Sequence, residues 1–142
     1  MTIIELGYHL CYGDAGHKHF VEPEDASKLV EVTHAISAGV GRLINWIHMP
    51  VPRNRTDDAY FAPLRQLLLH PETELYLGLV HFIDGVEGTR RRIAAAQKVV
   101  ADFGVATECG MGRLQVMKSV RQALFITVMS ICSRCLLAMI HY

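Results

Sequence analysis

Apolar positions run along the chain in short stretches that alternate between strand-like and helical spacing. Residues 1–12 predict a strand, because Thr2, Ile3, Ile4, Leu6, Tyr8, Leu10 and Tyr12 are β-prone or apolar and Gly13-Asp14-Ala15-Gly16 closes the run. Residues 23–38 predict a helix. Leu29, Val32, Ala35 and Ile36 have helical spacing, Pro23 suits a first turn, and Glu22, Glu24 and Asp25 sit at the positive end of the dipole. Gly39 and Gly41 end it. A second strand is expected over 43–49, stopped by Pro50-Val51-Pro52. A polar loop, 53–58, leads into a short helical stretch over 59–69 that Pro63 divides. Residues 74–83 predict a third strand, with Leu75, Leu77 and Leu79 on one face and Asp84-Gly85 as the turn beyond it. The clearest helix covers 87–103, with Ile93, Ala96, Val99 and Val100 on its apolar side and Gly104 as a left-handed stop. A short fourth strand, 105–109, ends in Gly110-Met111-Gly112.

The resulting order is β-α-β-α-β-α-β. Strands that are apolar on both faces and alternate with helices are parallel strands joined by helical crossovers, so the expected class is α/β. Residues 114–142 differ in character, with no acidic residue, no glycine and no proline. Within them, 124–140 is a 17-residue run whose one charged residue is Arg134. It falls short of the ~20 residues a membrane span needs, so it reads as a buried or partner-seeking helix. The chain therefore divides into a βα unit over 1–113 and a divergent apolar tail over 114–142.

Composition narrows the function. Lys+Arg and Asp+Glu both number 14, so the basic footprint of a nucleic-acid binder is missing. Four cysteines, unevenly placed, are too few for a disulfide scaffold. The first seven residues carry Glu5 and no basic stretch, unlike a secretory signal. A cytoplasmic setting is expected, with reduced thiols available as ligands or nucleophiles. Eight histidines are the unusual count, and they raise the question of metal or proton chemistry.

The polar residues gather at strand ends. His9 and Cys11 end the first strand, His48 the second, His81 and Asp84 the third, Glu108 and Cys109 the fourth. In a parallel α/β sheet the carboxyl ends of the strands share one rim, and that rim carries the site. Positions i and i+2 of a strand face the same way, so His9 and Cys11 form a two-toothed grip. Cys109 brings a second sulfur from another strand end. One imidazole and two thiolates make a zinc site with an open fourth corner. A packed apolar cysteine and a hydrogen-bonded histidine are the plainer reading of the same residues. His81, Asp84 and Glu108 are the candidates for holding a substrate. Arg53 and Arg55 follow the second strand on the same rim, where an anion could bind. Arg90-Arg91-Arg92 reads as a solvated face and His17-Lys18-His19 as a solvated loop. Cys132-Ser133-Arg134-Cys135 has no second pair and no strand beside it, so those cysteines read as structural. His34, His70 and His141 receive no role.

Tyr8-His9-Leu10-Cys11-Tyr12 resembles the zinc-binding His-x-Cys-Tyr strand of cobalamin-independent methionine synthase. Ala106-Thr107-Glu108-Cys109-Gly110-Met111-Gly112-Arg113 resembles that family's later strand, where an acidic residue precedes Cys-Gly and a basic residue follows. Gly78-Leu79-Val80-His81-Phe82-Ile83-Asp84-Gly85 looks like the strand between. The wider superfamily includes uroporphyrinogen decarboxylase and the methylcobalamin:coenzyme M methyltransferases. The resemblance covers roughly residues 1–113 and implies the last four strands of a TIM-type (β/α) barrel. It further implies zinc held by His9, Cys11, Cys109 and a glutamate on the intervening strand, activating the thiol of homocysteine for methyl transfer from a folate. The strand that should supply that glutamate, a different one from Gly78–Gly85, here reads Asn45-Trp46-Ile47-His48-Met49, which makes His48 the candidate fourth ligand. The segment between Cys11 and that strand is longer than in the synthase, and the tail does not resemble the family's closing helix. The implied partners are a small-molecule thiol, a methyl donor, and either a second copy or a missing amino-terminal half-barrel. The alternative is a non-catalytic remnant or oligomerisation module of the same fold. A zinc-independent decarboxylase-like enzyme would have no need of the two cysteines.

Overall fold

The computed structural model describes residues 4–13 and 15–111. The elements are β1 (Gly7–His9), α1 (Ser27–Gly39), β2 (Trp46–Pro50), α2 (Asp58–Phe61), β3 (Glu74–Val80), α3 (Gly85–Gln97) and β4 (Gly104–Thr107). Short 3₁₀ turns lie at Ala15–His17 and Ala62–Gln66. The strands form one parallel sheet in the order β1-β2-β3-β4. Chain order equals spatial order, so right-handed crossovers put every helix on the same side. Contacts between α1 and the Ala62–Gln66 turn, and between α2 and α3, join them in one layer. The expected parallel α/β class is thus present. The proposed apolar tail helix, with Cys132, Cys135 and His141, lies outside the described residues.

Strand periodicity separates two faces. Ile47 and Met49 of β2, Leu75, Leu77 and Leu79 of β3 and Val105 of β4 pack with Leu29, Val30, Tyr60, Phe61, Ile93 and Ala96 of the helices in one buried cluster. Fully burying a side chain of this size stabilises the fold by about 1.5–3 kcal/mol. The alternate positions, Gly7, His9, Trp46, His48, Tyr76 and Gly78, belong to the opposite face and are small, aromatic or imidazole-bearing. That face carries the site.

Several boundaries depart from the sequence reading. β1 is shorter than 1–12 because it is an edge strand held by one neighbour; Asn45 N–H donates to the Leu6 carbonyl and Leu10 N–H to the His48 carbonyl just beyond it. α1 begins at Ser27, where the Asp25 carboxylate accepts the Ser27 N–H at 2.8 Å, so Pro23 stays in the approach. It buries Leu29, Val30 and Thr33, while Val32 and Ala35 face out. Pro63 does divide the 59–69 stretch, because it opens the 3₁₀ turn that follows α2. α3 stops at Gln97, leaving Val99 and Val100 in the next turn, and Gly104 opens β4 instead of serving as a left-handed stop.

The largest correction concerns Arg92. Far from lying on a solvated face with Arg90 and Arg91, it is the largest fully buried side chain among the described residues. Its guanidinium grips Asp84 with two bonds of 2.6 and 2.8 Å and donates to the carbonyls of Leu79 and Arg53. A planar fork matched to a carboxylate and two carbonyls is a geometry Arg alone supplies. One side chain thereby ties the end of β3, the loop after β2 and the first turns of α3. Burial pushes the Asp84 carboxyl up, but Arg92, His81 and Arg53 together hold it below the usual carboxylate range. Asp84→Ala strands a buried cation and is expected to cost about 3–5 kcal/mol. Urea unfolding measures this, and a loss under ~1 kcal/mol, the scale of an exposed pair, would refute the role given to the clamp.

Candidate metal centre

β1 and β4 are the two edges of the sheet, three strand spacings apart. In a flat sheet that is about 14 Å. Yet His9 Nε2, at the end of β1, lies 3.4 Å from Sγ of Cys109, two residues beyond β4. With Cys11 Sγ, these ligand atoms all lie within 4.8 Å of one another. The sheet is therefore curled, with its imidazole-bearing face on the inside. Tetrahedral zinc with Zn–S ~2.3 Å and Zn–N ~2.0–2.1 Å separates nitrogen from sulfur by about 3.6 Å. The 3.4 Å separation fits such an ion.

Each of these side chains is held by local chain geometry. In parallel register His9 pairs with His48, so both side chains project from the same face. Their rings stack with centroids 4.6 Å apart and 11° between planes. Gly78 leaves room for His48 beside β3, since a Cβ there would stand 3.0 Å from His48 Nε2. Cys11 is exposed, and its sulfur accepts the Gly13 N–H at 3.3 Å. Gly13 has φ 98°, which L side chains rarely adopt, and Phe20 fills the space a Cβ would need. Cys109 is half-buried.

The electrostatics set the protonation states. Burial pushes the Cys109 thiol well up, and the Cys11 sulfur and the Glu108 charge raise it further. Burial pushes the His9 imidazole down. At neutral pH the site thus presents a neutral imidazole, the form that binds metal, and a Cys109 thiol that must release its proton on metal binding. His48 stands outside the three-atom group and backs His9 by stacking. It is fully buried, and burial, followed by the influence of His9, lowers its pKa to about 3, although the Thr107 carbonyl favours its protonation.

His81, Asp84 and Glu108 share this rim but are engaged internally. His81 Nε2 donates to the Val51 carbonyl at 2.8 Å, and its Nδ1 meets Glu108 Oε2 at 3.1 Å. The other Glu108 oxygen accepts the Phe82 N–H at 2.8 Å. Burial raises the Glu108 carboxyl, but His81, the Phe82 amide and Arg53 outweigh it and leave the group below its ordinary range. Asp84 is held by Arg92. Arg53 remains exposed beside the two carboxylates, whereas Arg55 pairs with Asp57 and lies 5.2 Å over the Tyr60 ring. The His17-Lys18-His19 loop brings the His19 ring to 5.5 Å from Tyr12, and Lys18 is exposed. His34 accepts the Leu68 N–H, a structural bond. A cleft of about 550 Å³ lies at the other rim, between residues such as Thr73, Glu74 and Gly104 at the strands' amino ends. It contains none of the ligand residues, and the strand-end chemistry locates the site better than cavity size does.

The sequence reading missed the Arg92 clamp and the backing role of His48. Thr89, Arg92, Ile93 and Ala96 share one helical stripe, and that spacing was the available signal for a buried Arg92.

His48 makes the metal-free protein acid-sensitive. Its folded pKa lies below its unfolded value, so its contribution is complete above about pH 6.5 and is lost as pH falls towards about 3. Each pH unit crossed in that window is worth up to about 1.4 kcal/mol. Urea titrations from pH 7 to 4 should show this slope, and His48→Phe should flatten it; an equal slope in both proteins would contradict the assignment. Compared with known proteins, the chain matches no protein-family model, no curated protein and no solved structure.

Proposed function

We propose that this chain is a zinc-binding, methionine-synthase-like half-barrel that activates a small-molecule thiol for methyl transfer. The observation that carries the reading is the meeting of His9, Cys11 and Cys109 from opposite edges of the sheet. Two sulfurs and one imidazole are the donor set of a catalytic zinc site that keeps its fourth position for substrate. Exposed Cys11 leaves that position reachable from solvent. Softness of the donors favours zinc over magnesium or calcium.

Within this reading the chain's residues have distinct tasks. His9 supplies a neutral nitrogen, Cys109 gives up its proton, and Cys11 forms the solvent-side wall. When bound, zinc stabilises the thiolate form of a substrate whose free pKa is ~8.5. The sequence resemblance suggests homocysteine as the thiol and a methylated folate as the donor. The in-order parallel strands and the curl support placing β1 to β4 as half of a TIM-type barrel. Among the described residues both outer edges lack a further strand, so a second copy or an amino-terminal half-barrel would complete it. No described helix is long and apolar enough to cross a membrane, and a cytoplasmic setting would keep the ligand thiols reduced.

A second reading, a non-catalytic assembly module, draws on a different observation. Asp84 and Glu108, the acids best placed to hold a substrate amine, are already bonded to Arg92 and His81.

Metal analysis and thiol binding separate the readings. The purified protein should retain about one zinc per chain, the content of a single three-ligand site. Cys11→Ser and Cys109→Ser should each lose most of it, whereas a Cys132→Ser/Cys135→Ser variant should keep it. In the cobalt-substituted protein, homocysteine should change the visible spectrum by entering the open position. Zinc content unaffected by both ligand variants would overturn the metal site; bound metal with no response to any small thiol would favour the assembly module.

A further inference from the structure

We infer that His81 and Glu108 form a positioning brace that sets the Cys109 sulfur in the metal site, a role that rests on the metal-centre reading above. Cys109 has little structure of its own to hold it. β4 is four residues long, and Cys109 lies two residues past its end. The Cys109 backbone follows directly from Glu108, and Glu108 is tied through both its backbone and its side chain. Its N–H donates to the Val80 carbonyl at 2.8 Å, its Oε1 accepts from the Phe82 N–H, and its Oε2 meets His81. His81 is buried and in turn anchored to the Val51 carbonyl just past β2. The chain of contacts runs Val51, His81, Glu108, Cys109, and so joins the ends of β2, β3 and β4.

This arrangement explains why two groups that resemble a catalytic acid–base pair are turned inward. Both ring nitrogens of His81 face oxygen acceptors, and each Glu108 side-chain oxygen has a protein partner. Neither group has a side-chain nitrogen or oxygen without a protein partner. They act on the metal site through Cys109. Outer partners of metal ligands commonly have this task, and losing one costs about 10–100-fold in metal affinity.

The polarity of the brace offers a conservative test. Glu108→Gln can keep both side-chain bonds: its oxygen accepts from Phe82 N–H, and its amide N–H donates to Nδ1 of the His81 tautomer whose Nε2–H is given to the Val51 carbonyl. Glu108→Ala keeps neither. In the metal-free full chain, alkylation by iodoacetamide can be resolved at each cysteine by mass spectrometry. Glu108→Ala should raise the Cys109 rate severalfold and leave Cys11 unchanged, whereas Glu108→Gln should match the parent protein. In the cobalt-loaded chain, Glu108→Ala should weaken affinity by about 10–100-fold and diminish the sulfur-to-metal charge-transfer band, and Glu108→Gln should restore both. If Glu108→Ala fails to fold, His81→Phe serves, because it removes one tie and leaves the Phe82 bond. The alkylation arm needs no metal, so a parent protein that binds no cobalt refutes the metal-centre reading while the brace is still judged on Cys109 reactivity. A folded Glu108→Ala protein with parental Cys109 reactivity overturns the brace. So does a Glu108→Gln protein that behaves like Glu108→Ala, since the effect would then be one of charge and not of position.

Discussion

Curvature of the parallel sheet is the constraint on which the other features depend. A flat four-stranded sheet would keep His9 and Cys109 about 14 Å apart at the backbone, and no pair of side chains this short closes such a gap. The observed 3.4 Å between their ligand atoms requires the edges to turn towards each other. Two sequence features permit the curl. Leucine, isoleucine and valine on the outer face pack against a single helical layer. Gly78 on the inner face makes space for the His48 imidazole, with His9 stacked upon it. The packing that builds the fold therefore also builds the site.

The carboxyl rim carries several ionisable groups close to one another, which burial would normally penalise. The cost is offset by pairing. Arg92 neutralises Asp84 with a two-pronged grip, and His81 faces Glu108. Both acids stay below their ordinary pKa despite burial. The cluster of His9, Cys11 and Cys109 follows the opposite rule, since burial keeps His9 neutral and favours the Cys109 thiol. The rim thus has a charged, fully bonded half and a neutral half that can exchange protons for a metal ion. A segment of adjacent residues, Glu108 and Cys109, joins the two.

Much of this was legible in the sequence because strand ends in a parallel sheet share a rim. Alternation in 74–83 and the punctuation by Pro50, Gly85 and Gly110 located the strands, and the His-x-Cys spacing pointed to the pairing of His9 with Cys11. The curl was not legible, since no local pattern encodes how far a sheet bends. Three consecutive arginines suggest solvation, and the stripe that Arg92 shares with Thr89, Ile93 and Ala96 is the pattern that reverses this for Arg92 alone. His48 sits where a ligand was expected, but parallel register with His9 leads to ring stacking, which spacing along one strand does not reveal. Helix limits moved where a local side-chain bond, such as that from Ser27 N–H to the Asp25 carboxylate before α1, overrode propensity.

The most direct test of the central claim is zinc-edge X-ray absorption on the metal-loaded full chain. The curled-sheet account expects two sulfur scatterers at ~2.3 Å and nitrogen or oxygen scatterers at ~2.0–2.1 Å. Replacing Cys109 by serine should remove one of the sulfurs. A first shell without sulfur, or one unchanged by that replacement, would show that the two edges of the sheet do not meet around the ion.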